Sequence, residues 1–300
     1  MPSWKGKSRG GVSGYKFFIF ILKYFGISSS YFFLRFVIIY FVIFSPKASK
    51  AIYLYFRQIH KYSLRKSFVK LFQNYYIFGQ TLIDKIAILG GFEKKFTYSF
   101  GSNYNDLLKL LDANKGCILI SAHIGNWEVA GQFFGNYGNR LNIFMLEAEH
   151  ERIKNLLSGI LGDKNYNIIG LKEDLSHIIK INNALSNNEY ICFQGDRYVH
   201  KDHTLKAKFL GKEVLFPDGP FKIAARYDVP VVFFFAMKDT PRNYSFNFFV
   251  AKSTISEVGQ TRQAKTLAIL NEYVSVFEFV VRKYPEQWFN YYNFWENNAS

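Results

Sequence analysis

From residue 104 onward, short β-branched or aromatic runs take turns with segments whose apolar residues recur every three or four positions. Strands are expected near 117–122 (CILISA), 141–146 (LNIFML), 166–169, 189–194 (EYICFQ), 229–237 (VPVVFFFAM) and 244–250 (YSFNFFV). Helices are expected near 104–113, 126–135, 148–161, 172–186, 219–227 and 262–283. Such alternation predicts an α/β fold: a mixed, mostly parallel sheet covered by helices, with ligands bound outside the carboxyl ends of the strands. It leaves little room for any other architecture in the second two thirds of the chain.

The first third reads differently. Residues 1–100 carry 16 Lys and Arg against only Asp84 and Glu93, and they hold nearly all of the +15 net charge. Basic residues among aromatics suit either a nucleic-acid backbone or an anionic membrane. Here they interrupt long apolar runs, YKFFIFILKYFG at 15–26 and YFFLRFVIIYFVIF at 31–44, which favours the membrane and argues against nucleic acid. The runs predict a re-entrant hairpin turning around Gly26–Ser30 or two helices lying in the interface, with a true span or an ordinary buried hairpin as the alternatives. The longer run, broken by Arg35, falls short of the ~20 residues that a span requires. No small-residue cleavage site follows them, so a secretory signal is not expected. Residues 51–88 continue with helical periodicity and a basic outer face, and Gly90-Gly91 with the following FEKKFTYSFG marks a turn. The chain therefore divides into a basic amphipathic helical module at 1–90, which associates with membranes, and an α/β domain at 91–300.

Cys117 and Cys192 lie inside strand-like runs and are expected to be buried free thiols, as in a reducing cytoplasm. No spacing of Cys or His resembles a metal site, no G-x-S-x-G elbow is present, and GKS at 6–8 lacks the upstream glycine of a phosphate-binding loop.

Chemistry concentrates in SAHIGNWE at 121–128. A strand ends at Ser121, Gly125 permits a sharp turn, and Asn126 suits the N-cap of a helix starting at Trp127. Across that break His123 and Glu128 can meet. A carboxylate that accepts from one imidazole nitrogen leaves the other as a base. With no Ser or Cys nucleophile beside it, such a pair suits activation of a substrate hydroxyl or amine; a purely structural pair has the same sequence.

Three further blocks follow in order: FQGDR at 193–197, KFLGKEVLFPDGPFKIAARYDVPVVFFF at 208–235, and YPEQWF at 284–289. Together with His123-x4-Glu128 they resemble the bacterial lipid A biosynthesis acyltransferases, the late lauroyl or myristoyl transferases of the lysophospholipid acyltransferase-like superfamily, over roughly 100–295. The resemblance implies transfer of a fatty acyl chain from an acyl carrier protein or coenzyme A thioester to a hydroxyl or amine of a membrane lipid. It implies no cofactor and no metal, and it places the protein at the cytoplasmic face of the inner membrane. On this analogy His123 is the general base and Glu128 its partner. Backbone N–H groups near Gly125 and Asn126, or Arg197 oriented by Asp196, would meet the developing oxyanion. Pro217 and Gly219, at the opening of a helix, would border a headgroup or phosphate. One departure bears on the acceptor: after the PEQ the chain continues NYYNFWE, where the family runs into basic residues. This points to a less charged acceptor, such as an aminoacyl, aryl-polyene or pigment-type lipid. The competing reading is a catalytically inert lipid-binding or scaffold protein on the same fold.

Overall fold

The computed structural model describes residues 12–101, 103–112, 115–127, 129, 140–146, 166–171, 176–254 and 260–295. The chain opens with α1 (Val12–Phe44), α2 (Pro46–Leu54), a π-helical turn at Tyr55–Ile59 and α3 (Leu64–Ala87). Gly26 interrupts α1 at φ +79°, a value glycine adopts freely. The rings of Phe17 and Phe33 lie 6.0 Å apart, whereas a straight helix would separate them by about 24 Å. α1 is thus a helical hairpin bent at Gly26. Leu22, Ile27, Tyr31, Leu34 and Ile38 are buried. Gly79 of α3 leaves room for the Leu34 methyls, which sit where a Cβ would stand. The other face keeps Phe20, Tyr24, Phe25, Phe32, Phe36, Ile39, Tyr40, Ile43 and Phe44 at least half exposed.

The α/β part supplies β1 (Thr97–Phe100), α4 (Tyr104–Asp112), β2 (Cys117–Ser121), β3 (Leu141–Leu146), β4 (Tyr166–Leu171), α5 (Ser176–Ser186) and β5 (Tyr190–Gln194). It continues with β6 (Thr204–Phe209), β7 (Lys212–Pro217), α6 (Gly219–Arg226), β8 (Val231–Thr240), β9 (Asn243–Val250) and α7 (Arg262–Lys283). Seven strands form one sheet in the order β1-β9-β8-β2-β5-β3-β4, parallel throughout except for the β8–β9 hairpin. The mostly parallel, helix-covered sheet is the one the alternating pattern predicts. Every residue of β2 is buried, as a central strand covered on both faces requires. Cys117 and Cys192 are buried free thiols whose pKa values burial pushes up.

Three strands were not expected. β1 replaces part of the anticipated turn and pairs with β9 in parallel. β6 and β7 form a separate antiparallel hairpin. Its two-residue turn, Leu210-Gly211, has φ +50° and +83°, and leucine at the first of these positions hides the usual Asn-Gly signature. The expected helix at 148–161 lies outside the described residues. Of the one at 126–135, Trp127 and Val129 are described and helical.

Candidate active site

β2 and β5 are neighbours, and Ser121 stands opposite Gln194 at their carboxyl ends. Two residues beyond each strand stand His123 and Asp196. A register set by apolar runs in the sheet therefore brings together two polar residues 73 positions apart. His123 Nδ1 lies 2.7 Å from Asp196 Oδ1, and the same oxygen accepts the His123 main-chain N–H at 3.1 Å. Asp196 is 1% exposed, whereas the His123 side chain keeps 23%. Trp288 donates its indole N–H to the second carboxylate oxygen at 3.2 Å.

Burial by itself would raise the pKa of Asp196. The His123 charge and hydrogen bond outweigh it, aided by Arg197 and the Trp288 indole, and bring the value down to about 2. The carboxylate is therefore ionised and accepts from Nδ1–H, which leaves Nε2 as the ring nitrogen able to exchange a proton with a substrate.

The turn that carries His123 is held on all sides. Gly125 sits at φ +63°, and a Cβ there would run into the Ala236 carbonyl oxygen. Its N–H donates to Gln287 O at 3.0 Å, and the Asn126 N–H to Ala236 O at 2.8 Å. Asn126 is buried and donates through its side-chain amide to Thr81 O and Tyr244 Oη. Phe289 N donates to His123 O at 2.9 Å, and Ile124 forms an isolated antiparallel bridge with Trp288. Behind the turn, Tyr273 of α7 donates to Ser121 O at 2.9 Å and occupies the space that a Cβ on Gly195 would need.

The sequence-derived site residues sort as follows. His123, Gly125, Asn126, Asp196 and Arg197 converge at the ends of β2 and β5, and Arg197 Nη2 donates to Phe289 O at 2.6 Å. Glu128, expected as the partner of His123, lies outside the described residues. Asp196, expected to orient Arg197, holds the histidine. Pro217 pairs with Thr204 in the β6–β7 hairpin, and Gly219 opens α6. The N–H groups of residues 123–126 are all taken, by Asp196 Oδ1, Ala122 O, Gln287 O and Ala236 O. Gln287, Trp288 and Tyr273 carried no site signal of their own; YPEQWF stood out only as a block.

A family model described as bacterial lipid A biosynthesis acyltransferase matches residues 66–296. The chain belongs to this family. It is accordingly an acyltransferase. A search of curated proteins finds no match. The match begins in α3 and takes in each strand and the PEQWF segment, so the lipid A acyltransferase assignment covers all the elements that surround His123. Membrane association is suggested by Gly14–Phe44, which is long and apolar enough by composition to cross a bilayer.

Proposed function

We propose that the protein transfers a fatty acyl chain from an acyl carrier protein or coenzyme A thioester to a hydroxyl or amine of a membrane lipid, with His123 as general base. The observation that carries this reading is the His123 Nδ1–Asp196 Oδ1 contact of 2.7 Å at the carboxyl ends of adjacent parallel strands. Nε2 takes the proton from the acceptor as its oxygen or nitrogen bonds to the thioester carbonyl carbon. The buried Asp196 carboxylate stabilises the imidazolium that forms. Collapse of the tetrahedral intermediate expels the thiolate, which receives the same proton and leaves as the thiol. The N–H groups of residues 123–126 are engaged within the protein, and Arg197, next to Asp196, has the charge to meet the oxyanion.

The acceptor is a lipid of the lipid A type or a less charged relative. Phe294 and Trp295 of the NYYNFWE stretch pack against Phe209, Trp288 and Tyr55. Packing therefore accounts for the aromatic residues at these positions. The protein lies at the cytoplasmic face of the inner membrane. The fold at Gly26 divides α1 into arms of about 21 and 27 Å, each shorter than a hydrocarbon core of about 30 Å, and this favours a re-entrant or interfacial hairpin over a span. The exposed aromatic face would enter the leaflet, and the basic residues of 1–100 would meet anionic headgroups.

The test is turnover of an acyl thioester with a lipid acceptor in His123→Ala. Transfer is abolished while the circular dichroism spectrum and vesicle binding are retained; retained turnover refutes the reading. Mass spectrometry of lipids from cells with and without the gene identifies the acceptor by the acylated species that disappears.

A further inference from the structure

The segment Pro285–Phe289 bonds to His123, Gly125, Asp196 and Arg197. Gln287 Oε1 accepts from Lys238 N at 2.9 Å, and Gln287 Nε2 donates to Lys238 O at 2.8 Å. Its carbonyl takes the Gly125 N–H, Phe289 N donates to His123 O, and Phe289 O takes a guanidinium N–H of Arg197. Within this segment Trp288 is 2% exposed and sends its one polar atom to Asp196 Oδ2. A carboxylate has two oxygens and can turn about its last bond. Pinning Oδ2 leaves Oδ1 to face both the main-chain N–H and Nδ1 of His123, the two contacts that hold the imidazole in place.

We propose that Trp288 is a positioning residue for acyl transfer: its indole N–H fixes the rotation of the Asp196 carboxylate and so the orientation and tautomer of His123. This rests on His123 being the general base. Core packing alone does not require that bond. The ring already packs against Tyr55, Phe209, Phe277, Phe294 and Trp295, contacts that a phenylalanine largely keeps.

The groups facing Asp196 among the described residues are His123, Arg197, Trp288, Tyr273 and Tyr292. Arginine stays protonated throughout the accessible range, and burial pushes both tyrosines upward. Arg197, Trp288 and the two tyrosines therefore add no step to an activity profile around neutral pH.

Trp288→Phe removes the donor. The carboxylate then carries more charge toward the imidazole and stabilises its protonated form. In this variant kcat should fall about tenfold with KM for donor and acceptor nearly unchanged, and the acidic limb of the pH–rate profile should move up by about half a unit. A variant that is merely less stable, with an unmoved profile and unchanged kcat, overturns the proposal. If Trp288→Phe does not fold, the wild-type protein carries the test. The Trp288 indole ¹⁵N–H resonance, assigned by single substitution of the other three tryptophans, should shift with the acidic limb and cease to do so in His123→Ala. A resonance indifferent to pH overturns the role. Activity lost in His123→Ala but untouched in Trp288→Phe sinks only the part played by Trp288. Activity surviving in His123→Ala sinks the general-base reading itself.

Discussion

His60 and Asp196 show at single residues how burial and partners set charge. The His60 ring packs among Tyr55, Phe56 and Tyr62, and its Nε2 is buried without a hydrogen-bond partner. Burial first, then the charges of Arg282 and Lys66, lower its pKa to about 4 from 6.5. Between those values the unfolded chain binds a proton that the folded one refuses. Stability is then lost as pH falls from about 6.5 to about 4, the sign expected for a histidine buried neutral. The Asp196 contribution has another window: it is present above the unfolded carboxylate value and is lost only as pH falls toward about 2. Thermal denaturation of wild type and His60→Phe at pH 7, 5.5 and 4.5 should show a smaller fall in Tm for the variant; parallel falls would contradict the assignment. Much at this scale was legible. SAHIGNWE and FQGDR each ended a strand-like run and each contained a residue able to do acid–base work. Their mutual pairing was not, because only the β2–β5 register places Ser121 beside Gln194.

Among the elements, α1 and the PEQWF segment matter most. Two apolar runs separated by a glycine implied a hairpin or two interfacial helices. The choice depended on the φ of Gly26 and on a receiving groove in α3, which no local pattern records. PEQWF is short, lacks the period of a helix or strand, and bonds almost wholly through side chains and single bridges. Tyr55 donates to Pro285 O, Lys70 pairs with Glu286, and Asn74 donates to Glu286 O and Trp288 O. The segment thus ties α3 and the π-helical turn to the His123 turn, so the N-terminal helices and the site are built against each other. Removing Phe20, Phe32 and Phe36 together as serines takes apolar area from the exposed face of α1 and none from its buried side. Cosedimentation with phosphatidylglycerol vesicles should weaken at least about tenfold, and wild-type binding should weaken further as salt is raised. Unchanged partitioning would mean that this face does not enter lipid.

At the scale of the molecule, one buried cluster runs from Leu22 to Phe294, and inside it lies an ion pair, Asp84 of α3 with Lys238 of β8. Tyr31 of α1 and Tyr244 of β9 also donate to Asp84, and Tyr244 in turn meets Asn126. Sequence showed Asp84 only as one of two acids in a basic third; a lysine in an apolar strand gave no hint of a partner 154 residues away. Asp84→Asn leaves Lys238 buried without its counter-ion and should cost about 3–5 kcal/mol in urea unfolding. Replacing both, as Asp84→Leu with Lys238→Met, should recover most of that loss; a double variant as unstable as the single one would contradict a role confined to charge compensation. The same long-range assembly brings His123 to Asp196, and a double-mutant cycle on acyl transfer tests that pair most directly. If they act as one unit, Asp196→Asn lowers kcat by about 10³-fold or more, and adding it to His123→Ala makes turnover no worse than His123→Ala alone. Two losses that simply multiply would show that the residues act separately.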